Sequence, residues 1–202
     1  MEITSKDIIL LNKKLKLALS EKRYLHTQGV AYLSASLAMS HGFNHRDALI
    51  AGLLHDCAKE YPEEELLDLC RNEHIELFED EILLPQLRHA PYGAHLAKTE
   101  YGIHQSDILD AIRYHTIGRI DMSPLEQIVY IADYLEPERI QQTEPALDEI
   151  RRISFHSLDA ATVLILQNLI RYFTQMNYKI NDEMWEMYHF YKNKTDTLGG
   201  AY

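Results

Sequence analysis

Cysteine is scarce in this chain: Cys57 and Cys70 stand thirteen residues apart, and neither falls in a CxxC pair. That argues against a disulfide scaffold or a cysteine-rich zinc module and suits a reduced, cytoplasmic setting. Glycine and proline are also few, at eight and six in 202 residues, and no segment alternates apolar and polar residues long enough to read as a half-buried strand. No apolar run approaches the ~18 residues of a membrane span. Lysines interrupt the opening MEITSKDIILLNKKL, so neither a membrane anchor nor a leader is expected. Clustered positive charge is missing as well. Lys and Arg number 20 against 31 Asp and Glu, a formal net charge of −11, which excludes a basic track for duplex nucleic acid. A chain of this length buries on the order of 70% of its unfolded surface and needs no metal or disulfide merely to fold.

What the sequence does contain is helical periodicity. Ile8, Leu11, Leu15 and Leu19 recur at threes and fours, which predicts an amphipathic helix over 7–20. A second spans 26–40, with Gly42 just past its end. A third follows an Asn44 cap, and its centre, 48–54, is apolar on every side, the pattern of a helix buried all round. Pro62 opens EEELLDLC, with acids at the positive end of the helix dipole. Pro85 and Pro91 bracket a break around Arg88, His89 and Ala90, and a helix then spans 92–101. Ser106 or Asp107 caps ILDAIRYHT, and Ser123-Pro124-Leu125-Glu126 is a capping box that opens LEQIVYIADYL. Two more helices fall near 146–153 and 158–176, and a peripheral one covers about 182–193. The expectation is an all-α helical bundle, one domain over 1–202 with its core at about 24–171.

Three polar residues stand where a core would exclude them. His55 and Asp56 end the apolar third helix, and Asp133 is the one acidic or basic residue of IVYIADYL. An ionised carboxylate in an apolar setting costs several kcal/mol unless it is paired or bound to a cation. The His-Asp dipeptide alone is a weak signal, because eleven His and thirteen Asp in 202 residues give about 0.7 such pairs by chance. Placement strengthens it: His26 opens one helix, the dyad ends the next, and Asp133 lies in a third. Together they offer two imidazoles and two carboxylates, a donor set for a divalent transition metal. The other histidines, His41, His45, His74, His95, His104, His156 and His189, read as surface or satisfied groups, and Cys57 as a small buried hydrophobe.

The segments RYLHTQGV, LLHDCAK and SPLE…YIADYLEPER, with LRHAPYGA and AIRYHTIGR between them, resemble the HD-domain metal phosphohydrolases. Within them they are similar to the YqeK subfamily, which acts on symmetrical dinucleoside tetraphosphates. The resemblance covers 24–171. It implies a helical HD-type fold and a metal, iron or another divalent ion, held by His26, His55, Asp56 and Asp133. For His89 and His115 it leaves two roles open, completing a second metal site with Asp56 as bridge or contacting phosphate. One or two metals per chain are thus expected.

The activity implied is hydrolysis of diadenosine tetraphosphate to two ADP, with Asp56, Lys59, His89 and His115 at the reaction centre. Arg23, Lys59, His89, His115, Thr116 and Arg139 are the candidate nucleotide contacts, and Gly118 in the HTIG turn gives backbone N–H groups room to approach phosphate. The alternatives are another HD reaction, on a mononucleotide, guanosine tetraphosphate or a cyclic nucleotide, and a metal-dependent nucleotide sensor without turnover. A nucleotide is the expected partner, with no nucleic acid and no membrane; a homodimer is left open.

Overall fold

In the computed structural model, which describes residues 4–137 and 146–197, the described residues form helices and connecting turns with no strand. Helix α1 covers Ser5–Ala18, α2 Glu21–Ser40 and α3 His45–Leu54. Then come α4 over Glu63–Asn72, α5 over Glu79–Leu83, a 3-10 turn over Pro85–Leu87, α6 over His89–Thr99 and α7 over Ser106–Tyr114. The chain finishes with α8 over Pro124–Tyr134, α9 over Leu147–Ser154, α10 over Leu158–Gln175 and α11 over Asp182–Thr197. None is long and apolar enough to cross a membrane.

The caps explain most of the boundaries. Asn44 accepts from the Arg46 and Asp47 N–H groups, and Ser123 and Glu126 close the capping box read from the sequence. Several boundaries differ from expectation. Helix α2 starts five residues before His26 because the Ser20 hydroxyl accepts from the Arg23 N–H, so His26 lies inside the helix. Helix α6 starts at His89 and takes Pro91 into its first turn, where a missing N–H costs nothing. Gln105, not Ser106 or Asp107, precedes α7, and its side chain makes no capping bond. The five-residue α5 is too short to leave a periodic signal.

The C-terminal helix is longer and less peripheral than the expected 182–193. It sends Met187 and a fully buried Tyr191 inward, and the Tyr191 hydroxyl accepts from the Met122 N–H at 2.7 Å.

Buried side chains form two clusters, and α2, α3 and α8 contribute to both. Ala31, Ile50, Leu53, Leu54 and Val129 belong to the first. Val30, Leu37, Ala48, Ile128 and Ile131 belong to the second. Helix α3, apolar on all sides, runs between them with every residue from Ile50 to Leu54 buried. A Cβ on Gly52 would lie 2.7 Å from the Ala31 Cα, so α2 and α3 meet backbone to backbone. Of the three helices shared by the two clusters, α2 carries His26, α3 leads directly into His55 and Asp56, and α8 carries Asp133.

Candidate metal centre

His55 and His115 occupy the residues that end α3 and α7, and His89 follows the 3-10 turn. Carbonyls at such ends lack an intrahelical partner. Each ring takes one up: Nδ1 lies 2.7 Å from the Gly52 oxygen in His55, 2.7 Å from Gln86 in His89 and 2.8 Å from Ile112 in His115. A carbonyl only accepts, so each Nδ1 carries a proton and donates it, and each Nε2 is left to face the centre.

Asp56 stands between two histidine pairs. Its Oδ2 is 3.4 Å from His55 Nε2 and 3.7 Å from His26 Nε2, and its Oδ1 is 3.1 Å from His89 Nε2 and 3.7 Å from His115 Nε2. The Nε2 atoms within each pair are 3.3 Å apart for His26 and His55 and 3.2 Å for His89 and His115. Asp133, on α8, closes the first pair from the other side, with Oδ1 3.1 Å from His26 Nε2 and 3.8 Å from His55 Nε2. His55, Asp56, His89 and His115 are buried, while Asp133 keeps 24% of its side-chain exposure.

The donor set fits a divalent transition metal. At metal–nitrogen distances of about 2.1 Å, adjacent ligand atoms lie about 3.0 Å apart in an octahedron and about 3.4 Å in a tetrahedron, and both imidazole pairs fall in that interval. Among the described residues, three groupings bring one donor atom per residue within 4.8 Å: His26, His55 and Asp56; His55, His115 and Asp133; Asp56, His89 and His115. All are nitrogen and oxygen donors of the kind that zinc, iron or manganese accept.

The electrostatics of the two carboxylates and of His89 agree. Burial opposes ionisation of Asp56, but the charge of His55 and the facing imidazoles of His115, His55 and His89 overcome it and hold the carboxyl well below its usual range. Asp133 is likewise held low: burial raises it, and the His26 contact with the charges of His55 and His115 lowers it further. Burial pushes His55 down, yet Asp56 and Asp133 outweigh it and the ring is raised. For His89 burial wins and the ring falls to about 4. Ionised carboxylates and a neutral imidazole beside them are the forms that bind a cation.

The candidate phosphate contacts divide. Lys59 stands behind His89, on a turn beyond α3 rather than on a continued helix: its Nζ donates to the Gln86 oxygen at 3.2 Å and sits 3.1 Å from His89 Nδ1, both donors sharing one acceptor. Arg23 is engaged differently from expectation. Its Nη1 donates to Asp56 Oδ2 at 2.6 Å, which turns that nitrogen to the carboxylate rather than outward. The Thr116 hydroxyl is buried with no hydrogen-bond partner among the described residues, and Gly118 adopts φ +66 in the turn that follows, packed on the Met187 sulphur. Arg139 lies outside the described residues.

Among the remaining histidines, His41 reaches the Ser154 oxygen at 2.7 Å and His95 stacks on Tyr92, both as packing or surface contacts. Cys57 is buried, and its thiol donates to the Gly93 oxygen. Glu136, not among the residues expected from the sequence, stands beside His26. It is 5% exposed, with Oε2 3.6 Å from His26 Nδ1. Its place three residues after Asp133, in the same motif, was the available signal.

The HD domain family model matches residues 23–138, which contain every one of these site residues except Arg139. The chain is 37% identical to the symmetrical bis(5'-nucleosyl)-tetraphosphatase of Bacillus subtilis over 87% of its own length and 92% of the relative's. It is 31% identical to the protein of the same name from Staphylococcus aureus, over 89% and 92%. Among solved structures, it is similar to a predicted HD superfamily hydrolase involved in NAD metabolism from Clostridium acetobutylicum. That match has a TM-score of 0.86 and 35% identity, and covers 96% of this chain and 100% of that one.

Proposed function

Because the chain belongs to the HD domain family, we propose that it hydrolyses symmetrical dinucleoside tetraphosphates, turning diadenosine tetraphosphate and water into two ADP. The observation that carries the reading is Asp56 set between two imidazole pairs, Oδ2 toward His26 and His55 and Oδ1 toward His89 and His115. The relatives named symmetrical bis(5'-nucleosyl)-tetraphosphatase, matched over most of their length, support the substrate class.

His26, His55, Asp56 and Asp133 would hold one divalent metal, iron or a similar transition ion, and Asp56, His89 and His115 a second. Such a metal, when bound, lowers the pKa of its water toward about 7 and offsets phosphoryl charge. The carbonyl-anchored rings of His55, His89 and His115 keep their Nε2 atoms fixed, so little reorganisation is left for the reaction. Lys59, held beside His89, donates to a phosphate oxygen, and Arg23 adds charge at Asp56. The water oxygen joins one central phosphorus, the bond from that phosphorus to the oxygen linking the two halves breaks, and a proton ends on the departing ADP. The wider chain is acidic at −11, so attraction for four linked phosphates is concentrated at this one point. Two buried free thiols are in keeping with a cytoplasmic enzyme.

The test is product analysis. Metal-loaded protein given diadenosine tetraphosphate yields ADP alone. ATP with AMP would mean cleavage off centre, and an inert dinucleotide beside a consumed mononucleotide or cyclic nucleotide would assign another HD reaction. Thermal protection by nucleotide with no turnover would make the protein a sensor.

A further inference from the structure

Three of the four central imidazoles are oriented by a backbone carbonyl three residues earlier. His26 is the exception. It lies inside α2, where the preceding carbonyls serve the helix, and its Nδ1 faces a side chain instead: Glu136 Oε2, at 3.6 Å, an ion-pair distance rather than a closed hydrogen bond.

Two features make room for that carboxylate and hold its backbone. Gly29, one turn after His26 on α2, leaves the helix face bare; a Cβ there would lie 2.8 Å from Glu136 Oε1 and 3.1 Å from its Cγ. Arg151, on α9, donates Nε to the Leu135 oxygen at 2.9 Å and Nη2 to the Glu136 oxygen at 3.0 Å, fixing the backbone where α8 ends. Glu136 is therefore a buried acid next to a ring that needs an acceptor, delivered by a backbone that α9 clamps.

We propose that Glu136 is the positioning residue of His26, its carboxylate holding the proton on Nδ1 so that Nε2 is presented to the metal, with Gly29 providing the clearance. The inference rests on the metal reading above and extends it outward by one layer. A carboxylate behind a ligand imidazole fixes ring orientation and raises basicity, and its loss typically weakens metal affinity about 10- to 100-fold.

Cobalt(II) affinity of the otherwise metal-free full chain, read from its visible absorption against a chelator, tests this without recourse to turnover. Asp133→Asn removes a direct donor and serves as the reference. Glu136→Ala should weaken cobalt binding by about 10- to 100-fold and alter the absorption band. Glu136→Gln keeps the volume and a carbonyl acceptor but not the charge, so it should fall between wild type and alanine; a merely space-filling Glu136 would leave this variant at wild-type affinity. Gly29→Ala pushes the carboxylate aside from within a good helix former and should loosen cobalt in the same direction, which carries the test if Glu136→Ala does not fold. Wild-type affinity in Glu136→Gln and Gly29→Ala, beside a weakened Asp133→Asn, overturns the role of Glu136 and leaves the metal centre standing. Unchanged affinity in Asp133→Asn overturns the metal centre itself, and Glu136 with it.

Discussion

The Cα of Ala31 on α2 lies where the Cβ of any other residue at Gly52 on α3 would reach to within 2.7 Å of it. The same Gly52 offers the carbonyl that accepts a hydrogen bond from His55 Nδ1–H. Helix packing and ligand orientation therefore meet in one residue.

Gly52→Ala consequently has two expected effects. Backbone cannot move aside as a side-chain tip does, so overpacking should cost about 1–3 kcal/mol, partly offset by roughly 1 kcal/mol of gained helix propensity. Urea unfolding should show a net loss. Metal affinity should fall too, because separating the helices displaces the oxygen that orients His55. A variant as stable and as metal-competent as wild type would contradict this account.

Lys59→Met keeps most of the packing and removes the ammonium. It should raise KM for diadenosine tetraphosphate by roughly tenfold, the scale of one charge-assisted hydrogen bond, while metal content stays at the wild-type level. Steady-state kinetics with metal analysis on the same sample check both. Loss of metal together with activity would mean that the Lys59 contact with Gln86 supports His89 rather than the substrate.

Burial pushes the thiols of both cysteines up, Cys70 from 9.0 to about 11. On raising pH the unfolded thiol ionises first and binds fewer protons than the native one, so stability should fall above about pH 9, by at most about 1.4 kcal/mol per unit for Cys70. Below pH 9 the thiols contribute no such dependence. At pH 8 a disulfide reagent should leave the native chain unlabelled and modify both cysteines after unfolding; prompt labelling of the native protein would count against the buried, protonated thiols.

Tyr191→Phe removes the acceptor of the Met122 N–H and leaves that donor buried without a partner. The expected cost is about 1–3 kcal/mol, seen as a lower unfolding midpoint. Activity under conditions where the chain stays folded should be unaltered. An unchanged midpoint would return α11 to the peripheral role that its sequence suggested.

Periodicity revealed most of the helices, because an apolar stripe is written into residues three and four apart, as in Ile8, Leu11 and Leu15. Asp133 and the His55-Asp56 pair were legible for the opposite reason, as charges breaking an apolar pattern. What the sequence concealed depends on the third dimension. The Ser20 cap that draws α2 back past His26 competes with nothing local that periodicity detects. The Arg23 contact with Asp56 joins residues 33 positions apart. The bare face at Gly29 is what shows Glu136 to be buried against His26.

The carbonyl anchors of His55, His89 and His115 have a consequence for how this site tolerates sequence change. A peptide oxygen is supplied by every amino acid, so substitutions at Gln86 or Ile112 that preserve the backbone leave the anchor intact. The exposed Gln86 is free to drift, while the fully buried Ile112 is held by packing rather than by its anchor. His26 depends on the side chain of Glu136 and on the absence of one at Gly29, which makes it the ring whose support single substitutions most readily remove.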